Sequence, residues 1–241
     1  MQDAIVVIPT YNEIENIEDI IDAVLSQYDD VHILVVDDNS PDNTAQKVET
    51  CQSTYGDRLF LLKRTGKQGL GTAYVEGFKW CLKRHYMFVF EMDADFSHDP
   101  RDLIRLYEVC RNQGVEMAIG SRYIQGVNVV NWPLSRILLS YTASLYVRLI
   151  TGMKILDPTS GFVCYRRSVL EAINLDEITF IGYAFQIEMK YNTYQKKFNI
   201  REIPIIFTDR LHGVSKLNKG IIKEAVFGVI QMRLKIILGN P

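Results

Sequence analysis

Five short apolar runs, each leading into a helix-length pattern, occupy the first half of the chain and restrict its fold more than any other feature. They are Ile5-Val-Val-Ile8, His32-Ile-Leu-Val-Val36, Leu59-Phe-Leu-Leu62, residues 87–92 and Met117-Ala-Ile119. Runs this short that are apolar at successive positions suit strands covered on both faces, as in a parallel sheet. Helical patterns lie between them at residues 14–26, 44–55, 71–84 and 100–112. Asp42 or Asn43 is placed to cap the second, and Asp99-Pro100 reads as a cap followed by proline in the first turn. The alternation predicts an α/β domain: a mostly parallel, doubly wound sheet with flanking helices and ligands at the strands' carboxyl ends. At 241 residues the chain is long enough for one such domain with a well-buried core.

The second half is less regular. Residues 134–150 and 184–196 read as helices, and a strand is expected around 203–207. Residues 220–238 are strongly apolar yet contain Lys223, Glu224, Arg233 and Lys235, which speaks against a transmembrane span. An amphipathic helix on the core or at a membrane interface fits better. From Lys190 onward ten Lys and Arg stand against three Asp and Glu, although the whole chain has a net charge of −2. Such a basic tail suits either a solvated face or an anionic partner. It lacks the aromatic–basic interleaving of a nucleic-acid platform, so no nucleic-acid partner is expected. The four cysteines have no CxxC spacing and the four histidines are scattered. Neither zinc nor a disulfide framework is therefore expected. The N-terminus enters a strand at once, without a signal-peptide pattern, which makes a cytoplasmic location the expectation.

Asp93-Ala-Asp95 closes the fourth apolar run. On extended backbone, two carboxylates one residue apart point to the same side. They can share a hard divalent cation, Mg²⁺ or Mn²⁺, that keeps positions open for substrate phosphates. The usual phosphate cradles are missing. Pro9-Thr-Tyr-Asn-Glu13 after the first strand has no GxGxxG, and in Gly66-Lys-Gln-Gly-Leu-Gly-Thr72 a threonine follows the last glycine where a P-loop has lysine. Asp37 and Asp38 end the second strand, where a carboxylate can accept an N–H from a base edge. The same Asp-Asn-Ser-Pro-Asp stretch suits a turn and helix cap equally.

Pro-Thr-Tyr-Asn-Glu, Val-Asp-Asp-Asn-Ser, Gly-Leu-Gly-Thr-Ala-Tyr and Asp-Ala-Asp-Phe-Ser-His occur in order at successive βα boundaries. With these segments the chain resembles family 2 glycosyltransferases of the GT-A nucleotide-sugar-binding fold, and within them the dolichyl- or polyprenyl-phosphate mannose synthases. Gly120-Ser-Arg-Tyr123, Trp132-Pro-Leu-Ser-Arg136, Asp157-Pro-Thr-Ser-Gly-Phe162, Gly182-Tyr-Ala-Phe-Gln-Ile-Glu188 and Asp209-Arg-Leu-His-Gly-Val-Ser-Lys216 extend the likeness over nearly the whole chain. The resemblance implies that Pro9, Tyr11, Glu13, Val36 and Asp38 hold the nucleoside. Asp93 and Asp95 match its metal-binding pair, with Ala94 contributing from its backbone. Arg122, Arg210 and Lys216 match cationic positions facing phosphates, and Arg136 and Ser140 match positions near the lipid phosphate. Surface salt bridges are the alternative role for each arginine. Ser97 stands where some relatives carry Gln near the metal, which leaves its part open.

The implied reaction is metal-dependent, inverting transfer of mannose from GDP-mannose to a dolichyl or polyprenyl phosphate. A phosphate monoester is already largely anionic at neutral pH, its second pKa being about 6, so it needs no general base. Family 2 enzymes acting on hydroxyls often place an acidic base in the segment matching Tyr183-Ala-Phe-Gln186, where this chain has neutral Gln186. The resemblance further implies one domain, with a nucleotide- and metal-binding half at 1–125 and an acceptor-binding, membrane-facing half at 126–241. Some relatives carry transmembrane helices; this chain resembles the form without them. A location at the cytoplasmic membrane face follows, reached by the chain's own surface or through a separate anchoring subunit. The same chemistry with another donor, such as UDP-glucose, and a non-catalytic nucleotide-sugar-binding module remain as alternatives.

Overall fold

A computed structural model describes residues 1–210 and 219–237. The first half follows the βα alternation: β1 (Ala4–Thr10), α1 (Ile17–Leu25), β2 (His32–Asp37), α2 (Thr44–Tyr55), β3 (Leu59–Lys63), α3 (Leu70–Leu82), β4 (Phe88–Glu91), α4 (Leu103–Asn112) and β5 (Met117–Ser121). The second half contributes β6 (Val129–Val130), α5 (Leu134–Thr151), β7 (Val163–Arg166), α6 (Arg167–Ala172), α7 (Ala184–Gln195), β8 (Ile200–Pro204), β9 (Phe207–Thr208) and α8 (Lys219–Ile237). Seven strands form one sheet in the order β3-β2-β1-β4-β7-β5-β8. All pairings are parallel except those of β7, which runs antiparallel between β4 and β5. Strands from both halves thus share a single sheet.

Why the apolar runs are unbroken is visible in β1. Ile5 and Val7 pack on one face with α3 and α7, whereas Ala4, Val6 and Ile8 pack on the other with α1 and α4. Positions 4 to 8 of β1 therefore all need apolar side chains. Gly77 lets α3 lie close to this sheet, since a Cβ there would come within 2.7 Å of Val7 Cγ1.

Several local expectations are corrected. The strand expected at 203–207 is two strands in different sheets: β8 ends at Pro204, and β9 pairs with β6 after a break. Pairing with β5 runs through Pro204 to Ile205, whose N–H donates to Ser121 O at 3.1 Å, and stops there. Helix α1 begins at Ile17, not near residue 14, because Asn12 takes φ +57° and residues 13–17 form a turn closed by Ile17 N–H on Glu13 O. Asp42, not Asn43, anchors the start of α2; its Oδ1 accepts from the Thr44 N–H at 3.0 Å, and its Oδ2 from Ile14 N–H at 3.1 Å. Asp99 caps as expected, accepting from Arg101 N–H at 2.9 Å. The glycine-rich segment before α3 is a packing device. Gly69 has φ +104°, and Gly71 donates its N–H to Ile181 O at 2.9 Å, so the helix start is pressed against the 180–181 backbone.

Candidate active site

At the carboxyl ends of the strands a cavity of about 230 Å³ is lined by Asp93, Asp95, Arg122, Arg136, Ser140 and Arg210. All six were expected from the sequence, and β4, β5, α5 and the segment after β9 bring them together. The two aspartates meet by a different route from the one expected. Strand β4 ends at Glu91, and Asp95 lies in a bent segment whose Phe96 takes φ +58°. The bend supplies the convergence that extended backbone was expected to give.

Asp95 is fixed by the Ser97 N–H, 3.1 Å from Oδ1, and by Arg210, 3.1 Å from Oδ2. Burial, with Asp95 next in importance, pushes the Asp93 carboxyl up to about 8. Arg210 offsets part of this charge, yet the Asp93 carboxyl stays raised, so the two carboxylates of this dry site call for further positive charge. A hard divalent ion shared by Asp93 and Asp95 would supply that compensation, so these residues fit Mg²⁺ or Mn²⁺. Among the described residues no cluster of three or more His, Cys, Asp or Glu could cage a metal. A pair with open coordination positions is what a substrate phosphate requires.

This carboxyl gives a signed pH dependence. Its folded value of about 8 exceeds the ordinary 3.8, so between these limits the folded protein holds a proton that the unfolded chain has lost. Stability of the metal-free protein therefore falls as pH rises through that window. A cation must displace this proton at pH 6 but much less of it at pH 8.5. The rise in Tm on adding Mn²⁺ should be larger at pH 8.5, and Asp93→Asn should erase the difference. Equal shifts at both pH values in the parent protein would remove Asp93 from the ligand set.

The arginines carry counter-charges that sequence reasoning missed. Arg122, on β5's exit, is buried against Asp157, with Nε and Nη2 at 2.7 and 2.6 Å from its carboxylate. Burial would raise the Asp157 carboxyl, but Arg122 holds it below its ordinary range. Arg136 pairs with Asp209 at 2.8 Å and lies 4.1 Å from the Trp132 ring centroid. The expected salt-bridge alternative for Arg136 is thus realised within the cavity wall. Ser140 accepts from the Tyr123 hydroxyl at 2.7 Å. Lys216 lies outside the described residues.

The nucleoside candidates gather at the adjacent ends of β1 and β2. Tyr11 carries Lys67 over its ring at 4.3 Å, and Glu13 is buried and accepts from Asn16 Nδ2 at 3.0 Å. Asp38 is buried and paired with Arg64, while its Oδ2 accepts from Gln68 N–H at 3.2 Å. Arg64 follows directly after β3, so the rule that ligands gather at strand ends could have flagged it. Asp37 is absorbed structurally, accepting from Thr10 and Ser40. Pro9 pairs in register with Val36. The Val36 side chain packs in the core, which leaves only its backbone for a ligand, and Ala94 is likewise buried.

Beneath the cavity, Lys190 is fully buried and donates to Ser160 O at 2.7 Å and to Gln186 Oε1 at 3.2 Å. Burial lowers Lys190 to about 8 and raises its neighbour Glu91 to about 7. His98, stacked on Phe162 with centroids 4.9 Å apart, is held neutral by burial, its value lowered to about 4.

Residues 5–173 match the family described as Glycosyl transferase family 2. The chain is 44% identical to the polyprenol monophosphomannose synthase of Mycolicibacterium smegmatis, covering 97% of this chain and 88% of that protein. It is 42% identical to the undecaprenyl-phosphate mannosyltransferase of Micrococcus luteus, over 95% and 93% of the two chains. Among solved structures it is similar in fold to glucosyl-3-phosphoglycerate synthase of Mycobacterium tuberculosis in complex with Mn²⁺, UDP-glucose and phosphoglyceric acid. That likeness has a TM-score of 0.69 at 20% identity, over 96% of this chain and 79% of that one. With the parallel sheet, the carboxylate pair at β4 and these matches together, the chain belongs to the family 2 glycosyltransferases and has the GT-A type of fold.

Proposed function

We propose that this enzyme transfers mannose from GDP-mannose to a polyprenyl phosphate, with Mg²⁺ or Mn²⁺ and with inversion at the anomeric carbon. The observation that carries the reading is the two-sided character of the cavity. Its charged end holds Asp93, Asp95 and the three arginines; its other wall is Leu139, Ala143, Tyr146, Val147, Ile187 and Val226. Such a cavity suits a ligand with a phosphate head and an isoprenoid tail. The named activities of the two bacterial relatives point the same way.

The acceptor phosphate oxygen attacks the anomeric carbon, and the bond from that carbon to the nucleoside diphosphate breaks with its electrons leaving on the diphosphate. No proton has to be removed from an ionised phosphate, consistent with neutral Gln186 in the cavity lining. Arg136 and Arg210 orient the acceptor and leaving phosphates and offset their charge as it shifts. Arg122, already matched by Asp157, contributes position more than net charge. A cation held by Asp93 and Asp95 would act as Lewis acid toward the leaving diphosphate. The Mn²⁺ complex of the glucosyl-3-phosphoglycerate synthase supports a divalent ion in this fold. We assign the nucleoside to Pro9, Tyr11, Glu13, Val36 and Asp38, and a phosphate contact to Lys216.

The apolar wall continues outward. Helices α5 and α8 pack together, tied by the Tyr146 hydroxyl donating to Val226 O at 2.8 Å. Their outer faces expose Leu134, Leu149 and Phe227 at 69, 74 and 61%. Among the described residues no helix is long and apolar enough to cross a membrane. We assign this face to the bilayer surface, which lets the lipid tail remain in the membrane while its phosphate reaches the site. Each Lys or Arg near an anionic surface adds about 1 kcal/mol. Co-sedimentation with anionic liposomes should therefore occur at low salt, weaken at high salt, and weaken on charge reversal at Lys219, Lys223 and Lys235. No binding at low salt, with activity retained on a short soluble acceptor, would transfer the anchoring role to another subunit.

The function itself is tested by incubating the enzyme with polyprenyl phosphate, Mn²⁺ and a panel of nucleotide sugars. Mannosyl transfer from GDP-mannose is the expected outcome. Preferential transfer from UDP-glucose would change the donor assignment, and donor binding without transfer would support a non-catalytic module.

A further inference from the structure

Between the cavity arginines Arg122 and Arg136, residues 123–135 carry no charged side chain. More widely, residues 117–156 contain Arg122, Arg136, Arg148 and Lys154 but not one of the chain's 29 Asp and Glu. A surface facing water ordinarily carries charge at about a quarter of its positions or more. This stretch is not buried instead. Ile124, Val127 and Val130 are 37, 48 and 41% exposed. Ile206, which precedes the Phe207 that pairs with Val129, is 62% exposed.

The segment is folded. Gly126 takes φ +92° at its tip, and the Asn128 N–H closes the turn on Arg122 O at 2.9 Å. The N–H groups of Phe207 and Asp209 then donate to Asn128 O and Val130 O at 3.0 and 3.1 Å. Strands β6 and β9 thus form a ribbon with apolar side chains exposed and backbone hydrogen bonds made within it. The ribbon abuts α5 at two points. The Tyr123 ring stands edge-on to Tyr141 with centroids 5.6 Å apart, and Trp132 packs on both Phe207 of β9 and Arg136 of α5. Tyr141 belongs to the exposed stripe of α5, with Leu134, Leu138, Leu145 and Leu149 at helical spacing. The ribbon continues that stripe. Among the described residues, every exposed large apolar side chain except Ile14, Met87, Ile181 and Tyr183 lies on α5, on α8 or at the ribbon.

We infer that the β6–β9 ribbon is a second bilayer contact, with Ile124, Val127, Val130 and Ile206 entering the lipid interface beside α5. This rests on the proposed assignment of the α5–α8 face to the bilayer. A surface whose only charges are positive suits an anionic leaflet. Internal backbone pairing lowers the cost of entering a region poor in water. Half-exposed Tyr141 supplies an aromatic ring where ribbon and helix meet, as suits the headgroup level. The contact also falls on the chain that carries the site. The ribbon begins at Arg122, and Val130 O holds the backbone of Asp209, the partner of Arg136. Lipid contact there keeps the acceptor end of the cavity at the membrane surface.

The test uses the full chain with Val127→Cys, labelled with the solvent-sensitive fluorophore NBD. The four native cysteines are buried, which directs the label to the new thiol. A second protein carries the label through Asp19→Cys, on α1 against the other face of the sheet. On vesicles of phosphatidylglycerol and phosphatidylcholine, the label at position 127 should shift to the blue and be quenched by nitroxide-bearing lipid. The label at position 19 should do neither. Val127→Asp should weaken vesicle binding about tenfold or more, the equivalent of losing one buried valine. Its turnover on water-soluble geranyl phosphate should equal that of the parent. A silent label at 127 on protein that sediments with vesicles overturns the ribbon contact and leaves the α5–α8 face standing. A blue shift that grows with protein concentration without vesicles assigns the ribbon to a second copy of the chain, and overturns it too. Absence of vesicle binding overturns both contacts, while the functional reading stands if geranyl phosphate is still mannosylated. A lipid response at 127 with no transfer to any acceptor supports the ribbon contact and fails the functional reading.

Discussion

Replacing Asp95 by alanine is expected to reduce turnover by at least about a hundredfold, the usual scale for losing a group that stabilises developing charge. GDP affinity should fall in the presence of Mn²⁺ and stay near that of the parent under EDTA, because the carboxylate acts on the nucleotide through the cation. Asp95 also receives the Ser97 N–H and faces Arg210, so part of the loss could come from a shifted loop. Asp95→Asn separates the two contributions. It can still accept the Ser97 N–H but carries no charge, and it should be nearly as inactive as the alanine variant. Equal GDP affinity for Asp95→Ala and parent in saturating Mn²⁺ would count decisively against the metal assignment.

Removal of Asp157 is expected to have the largest effect on stability. Its carboxylate is fully buried and receives the backbone N–H, Nε and Nη2 of Arg122. Asp157→Ala would leave a buried guanidinium without its counter-charge, a change that costs about 3–5 kcal/mol. For a chain of this size that corresponds to a drop in Tm of roughly 6–20 °C. The double variant Arg122→Met with Asp157→Leu removes both charges, and should recover most of the lost stability, since apolar replacements of buried ion pairs are often neutral. Activity should not return with it, because Arg122 also lines the cavity. A stable and fully active double variant would reduce Arg122 to a structural role.

The five strands of the first half were legible because each needs apolar side chains on both faces, and local sequence records that demand directly. The aspartates and Arg122 follow strands whose carboxyl ends a mostly parallel sheet brings to one edge, whereas Arg136, on α5, and Arg210, after β9, were expected from the family resemblance alone. Six of the expected residues do line a single cavity. What the sequence could not supply is which charges meet there. Arg64 and Asp38, Arg122 and Asp157, and Arg136 and Asp209 are separated by 26, 35 and 73 positions. Their pairing depends on strand order, on the antiparallel insertion of β7 between β4 and β5, and on the break between Pro204 and Phe207. Periodicity reports the burial of a residue's own face and carries no information about its distant neighbour. The chain alone therefore determined the layers of the fold and the groups offered at its edge. Only the tertiary structure decided that the arginines arrive already matched by carboxylates.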